Sequence, residues 1–187
     1  YQNQLTDTER AQQSLVNVQK QAADSIQGQK SEVDTLVAAY KAEGTTLKQK
    51  EEILKALNKI SPEYFGAIKA GKGDVDALAV ATSRYSAELL KVAQITAAKD
   101  RLVEIEKALL NLNKTADPST LQTLGNIILS GGHALAFASK QAGTFTANLN
   151  EQKNTLIAER DAMTGLITTQ TLADASTGKL SDKYKGL

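Results

Sequence analysis

Few residues of this chain have types that do chemistry. One histidine, His133, stands beside Gly131 and Gly132, carboxylates pair at Glu51-Glu52 and at Glu104 and Glu106, and Gly71-Lys72-Gly73 has the composition of a phosphate-loop fragment. A metal centre needs two or three imidazoles, or carboxylates clustered at i, i+3 or i+4. His133 has no such company and reads as a polar residue at a helix start. Glutamates one or two positions apart on a helix point in different directions, so both pairs read as solvated charge rather than an acid–base couple. The Gly-Lys-Gly run follows no strand and lacks the full phosphate-loop spacing, so it reads as a turn. The chain has no cysteine, which excludes a thiolate nucleophile, a cysteine metal site and a disulfide framework. These readings leave no catalytic residue, no cofactor or metal site and no small-molecule substrate. The expectation is a protein that is not an enzyme.

The elements that would position any site are helices. Thr6 followed by Glu9 fits a capping box, and apolar residues then recur at Leu15, Val18, Ala22, Ile26, Val33, Leu36, Val37 and Tyr40, in gaps of three, four and seven. Gly28 is a weak point in that helix, at about 1 kcal/mol relative to alanine. Gly44 supplies a left-handed end, and Thr46 with Gln49 offers a second capping box. A shorter helix is expected to place Leu47, Ile53, Leu54, Leu57 and Ile60 inside, with Glu51 four residues before Lys55. Asp74 reads as an N-cap for a helix carried by Val75, Leu78, Tyr85, Leu89, Val92, Ala93, Leu102, Ile105, Leu109 and Leu112 to about Asn113, roughly 60 Å at 1.5 Å per residue. Asp117-Pro118 is a cap with an N1 proline. An apolar segment from Leu121 to Leu129 then meets Ser130-Gly131-Gly132, and the helical pattern resumes from His133 to Ile167 across Gly143 and Gly165. No stretch alternates with β-branched enrichment, so the fold class is all-α, in antiparallel hairpins or an elongated helical bundle.

Between the second and third of these helices lies Lys59-Ile60-Ser61-Pro62-Glu63-Tyr64-Phe65-Gly66, which holds one of two prolines, one of five tyrosines and one of three phenylalanines. Ser61 is expected to cap backbone N–H groups with its hydroxyl, and Pro62 to fix the first helical φ. Tyr64 and Phe65 are the bulky side chains of a corner where two helices are pinned together by an aromatic plug. The candidate site is therefore a structural corner: Ser61, Pro62, Tyr64, Phe65 and Gly66.

With 187 residues, 41% hydrophobic but only 4% aromatic, much of the apolar count is alanine, so each helix hides a narrow stripe. The expected organisation is one elongated helical domain over 1–174, with sub-parts 1–60, 61–113 and 114–174, then a frayed tail or linker over 175–187. The 22 basic and 21 acidic residues are spread along the chain, so charge implies neither sequence-specific nucleic acid nor an anionic membrane. No apolar run is long enough for an ordinary spanning helix. Gly131-Gly132 before the apolar run from His133 to Phe137 suggests the tongue of a helical pore-forming toxin, but it is short and broken by Ser139 and Lys140. That leaves membrane contact open. Beginning at Tyr1 without a methionine or a secretory signal, the chain reads as a piece of a longer polypeptide.

Residues from about 29 to 112 resemble a segment of tail tape measure proteins of phages and prophages of Bacteroidetes. The resemblance is carried by Gln29-Lys30-Ser31-Glu32-Val33-Asp34-Thr35-Leu36-Val37, by Leu54-Lys55-Ala56-Leu57-Asn58-Lys59-Ile60-Ser61-Pro62-Glu63-Tyr64-Phe65-Gly66, and by Tyr85 with the Ala-, Lys- and Glu-rich helix to Leu110. Ile-Ser-Pro-Glu-Tyr-Phe-Gly is the specific part. It implies a structural virion component without cofactor, assembled in the host cytoplasm, that sets tail length and leaves on genome ejection. It further implies self-association as a coiled coil and contacts with tail tube or baseplate proteins. The alternatives are a bacterial helical interaction or adaptor domain and, behind it, the pore-forming toxin.

Overall fold

A computed structural model describes residues 6–71, 73–115 and 135–176, and all the regular structure in them is helical. The fold class is all-α, with no strand among the described residues. In chain order the helices are α1 (Asp7–Lys41), α2 (Leu47–Ile60), α3 (Pro62–Phe65), α4 (Asp74–Thr115) and α5 (Leu135–Ser176). The expected Asp117-Pro118 cap, the 121–129 segment, the Ser130–Gly132 turn, His133 and the tail beyond 176 lie outside the described residues.

Local sequence explains most of the helix ends. The Thr6 N–H donates to the Glu9 carboxylate at 2.7 Å and the Glu9 N–H donates to the Thr6 hydroxyl at 3.3 Å, a closed capping box at the start of α1. The backbone N–H and then the hydroxyl of Thr6 hold the Glu9 carboxyl below the usual range. α2 begins with the same device, the Thr46 N–H donating to the Gln49 side chain and the Gln49 N–H to the Thr46 hydroxyl. Between them Gly44 has φ +83°, the left-handed conformation that ends α1. α1 continues through Gly28, which is exposed with open space around it. One glycine costs too little to break a 35-residue helix bonded on both sides. α5 likewise runs through Gly143 and Gly165 for 42 residues, the same length as α4.

The chain divides into two compact units, one of Gln19–Thr96 and one of Tyr1–Val18 with Ala97–Leu187. In the 19–96 unit the core is Val33, Val37 and Tyr40 of α1, Leu54 and Leu57 of α2, Phe65 of α3, and Leu78 and Ala81 of α4. These residues recur at steps of three, four and seven along their helices, which places each set on one face. One surface groove is lined by Leu36, Ala39 and Glu43 of α1 and by Gln49, Ile53 and Ala56 of α2, and the short connection through Gly44 makes the two helices a hairpin. Leu47, expected inside, is 59% exposed, and Val75 is exposed as well. Leu47 shares the Leu54 side of α2 by its seven-residue spacing but is the first residue of the helix, so its exposure comes from its place at the helix end.

In the other unit α1, α4 and α5 meet through smaller and more polar side chains. The buried apolar residues are Ala11, Val18, Ala97, Ala98, Ile105, Leu109 and Met163, and Ser14, Thr155 and Glu159 are buried beside them. The Thr155 hydroxyl donates to Asp7, Arg10 reaches Thr155 at 3.5 Å, and the Ser14 hydroxyl donates to Glu159 at 3.3 Å. The pairs 10/155 and 14/159 advance together along both helices, the signature of a parallel pair. α1 and α5 are therefore parallel. Antiparallel packing follows from short connections, and these two helices are not consecutive.

Candidate functional site

Ser61 joins two helices at a single residue. Its N–H donates to the Leu57 carbonyl at 3.0 Å, ending α2, and its carbonyl accepts from the Phe65 N–H at 3.1 Å, starting α3. The hydroxyl forms no cap bond, which corrects the sequence expectation. Pro62 pushes the residue before it into extended backbone. At φ −151°, ψ 96° Ser61 departs from the φ −71°, ψ 159° at which Thr46 does cap its helix. Pro62 occupies the start of α3 as expected, where its missing N–H costs nothing.

The corner delivers Phe65 into the core with no exposure, while Tyr64 stays half-buried at its edge. Tyr85 of α4 meets both rings. Its centroid lies 5.9 Å from Tyr64 in an edge-on arrangement and 5.7 Å from Phe65 at a tilt of 56°, spacings at which aromatic pairs attract beyond their buried area. Burial first, and then the Glu32 carboxylate, push the Tyr85 phenol up. Gly66 closes α3 at φ −65°, ψ −24°, a conformation open to any residue, but a Cβ there would sit 2.5 Å from the Pro62 carbonyl oxygen and 3.0 Å from the Asn58 side chain. Glycine is needed for space, not for φ. Gly66→Ala is expected to lower unfolding free energy by about 1–3 kcal/mol, read from urea denaturation. A midpoint equal to that of the native chain would show that the corner relaxes freely.

Beyond the corner, Gly71 and Gly73 take positive φ and turn the chain into α4. Asp74, expected as the N-cap, is the first helical residue, and the Gly73 carbonyl accepts the Ala77 N–H instead. The Asp74 carboxylate turns inward. It accepts from the Tyr40 phenol at 2.5 Å and from the Gly71 N–H at 3.0 Å, with the Lys50 ammonium 3.8 Å away. Lys50 also lies 4.8 Å from the centre of the Tyr40 ring, a cation–π contact. The Tyr40 hydrogen bond first, and then the Gly71 N–H, hold the Asp74 carboxyl below its usual range, with Lys50 adding to them. Burial, then the hydrogen bond to Asp74 and its charge, push the Tyr40 phenol up to about 12.

Phenol, carboxylate and ammonium are the types of an acid–base site, yet their contacts here are to one another. Tyr40 is fully buried and Asp74 is 7% exposed. Two surface grooves flank α2. One of about 520 Å3 is lined by Leu36, Ala39, Glu43, Glu52 and Ile53, and one of about 420 Å3 by Leu54, Lys55, Asn58, Phe65, Ile68 and Lys69. Neither reaches Tyr40 or Asp74. The node is a tie between α1, α2 and the start of α4.

Of the other sequence candidates, Glu51 and Glu52 are exposed, and Glu104 pairs with Arg101 on its own helix at 2.9 Å. No group of three or more metal-ligating side chains occurs among the described residues, and His133 lies outside them. No described helix is long and apolar enough to cross a membrane. Of the suggested tongue, residues 131–134 fall outside the described residues. Tyr40, Lys50, Asp74 and Tyr85 were not legible as a site. The available signal was a phenol on an otherwise apolar helix face, which needs a buried acceptor. Compared with protein-family models, curated proteins and solved structures, the chain finds no match.

Proposed function

We propose that the chain is a helical module of a phage tail tape measure protein, a structural virion component that works through extent and surface. The observation that carries this reading is the set of helices of 35, 42 and 42 residues, in which the buried polar groups Ser14, Asp74, Thr155 and Glu159 are all engaged by neighbouring side chains or backbone. The resemblance over 29–112, centred on Ile60–Gly66, supplies the family. A helix advances 1.5 Å per residue, so residue count in a helical protein is a length standard. Self-association and contacts with tail tube or baseplate proteins belong to the same proposal, as does a place in the virion after assembly in the host cytoplasm. In-frame deletions within the parent gene are expected to shorten tails, by up to about 1.5 Å per residue removed, or to block their assembly, as seen by electron microscopy. Tails of unchanged length, assembled normally, would overturn the reading.

The adaptor-domain alternative draws on the two grooves beside α2. Stable binding of a defined cellular protein to them, with no association with virions, would favour it.

A further inference from the structure

The seam where α5 meets α1 and α4 is built from polar side chains, two of which, Thr155 and Arg101, have a second partner on their own helix when it opens. The Thr155 hydroxyl, which meets Asp7 and Arg10, also lies 3.1 Å from the Glu151 carbonyl of its own helix, an acceptor to which its one proton can turn. Arg101 bonds Glu159 of α5 at 2.6 Å but also Glu104 of its own helix at 2.9 Å, and its side chain is 35% exposed. Arg10, 33% exposed, contacts Glu151 of α5 at 3.8 Å. Ser14 and Glu159 regain water on separation. A polar or charged group that leaves a protein hydrogen bond regains one to water, at a modest net cost that is larger for charged pairs, whereas packed aromatic and leucine side chains regain nothing on exposure. Three of the four buried polar side chains among the described residues lie in this seam, and three of the seven buried apolar residues around it are alanines.

From this arrangement we propose that α5 is a releasable arm: the stretch around Glu159 comes away from α1 and α4 by local opening while the Tyr40–Phe65 core stays closed. The arm returns to one register, because the pairs 10/155 and 14/159 close together only there, the use for which polar groups in helix seams are best attested. The proposal stands apart from the tail reading.

Hydrogen exchange followed by mass spectrometry on the whole chain tests it. Amides of 151–163 are expected to exchange at least tenfold faster than those of 33–40. Glu159→Gln, which removes the charge facing Arg101, is expected to raise exchange at 151–163 a further several-fold and leave 33–40 unchanged. Ser14→Ala gives a milder version of the same pattern and serves if the first variant does not fold. Equal protection of the two stretches in the native chain, or a variant that accelerates both alike, would overturn the proposal.

Discussion

Phe65→Ala is expected to destabilise the 19–96 unit by about 3–5 kcal/mol, the range for deleting a buried phenylalanine ring. Whole domains are stable by only about 5–15 kcal/mol, so this one change removes a large share. Phe65 has no exposed surface, packs among Val33, Val37, Leu54, Leu57 and Leu78, and touches Tyr85 at 5.7 Å. The neighbours cannot close the space easily, because Ser61 fixes the path of α3 through backbone bonds to Leu57 and Phe65, and the Pro62 carbonyl accepts from the Gly66 N–H. Tyr64→Ala, from a half-buried position, is expected to cost well under half as much. Near-ultraviolet dichroism of the tyrosines, followed during thermal unfolding, reads both variants. A loss below about 1 kcal/mol for Phe65→Ala would mean that the corner is not the anchor of this core.

How far sequence anticipates this fold depends on the reach of each interaction. Capping at Thr6 and Thr46 and the left-handed turn at Gly44 were legible because donor, acceptor and backbone lie within a few residues. So was the all-α class, which follows from periodicity alone. Ser61 shows the limit even at short range. The residue type is right for a cap, but Pro62 sets a backbone that takes the hydroxyl out of reach, and the carbonyl serves instead. The candidate corner was legible as a set of residues, but its partner Tyr85, twenty positions along, was legible only as part of a helix stripe. Periodicity tells which face is buried and not what lies against it. The same gap hid the Tyr40–Asp74 pairing, where Asp74 looked sufficient as a local cap. It also hid the parallel course of α1 and α5, which Ser14 and Glu159 determine across 145 positions.

Tyr40→Phe is expected to destabilise the same unit by about 1.5–3 kcal/mol, the range for a hydrogen bond to a charged group. The ring and its packing remain, but the buried Asp74 carboxylate loses its phenol donor and is left with backbone N–H groups of Gly71 and Val75 and a Lys50 ammonium 3.8 Å away. The node also gives stability a pH dependence with two edges. Asp74 has a lower pKa folded than unfolded, so its contribution is present above the ordinary aspartate value of about 3.9 and is lost as pH falls through the folded value. Tyr40 has a higher pKa folded, about 12, so its contribution is complete below the ordinary phenol value of about 10 and is lost as pH rises towards 12. By linkage, unfolding free energy measured in urea from pH 2 to 11 is then a plateau that falls at both ends. Tyr40→Phe lowers the plateau, removes the Tyr40 contribution to the alkaline fall, and weakens the acid fall by taking away the largest cause of the Asp74 shift. Profiles for the native chain and the variant that differ by a constant at every pH would show that Tyr40 and Asp74 are neighbours without being coupled.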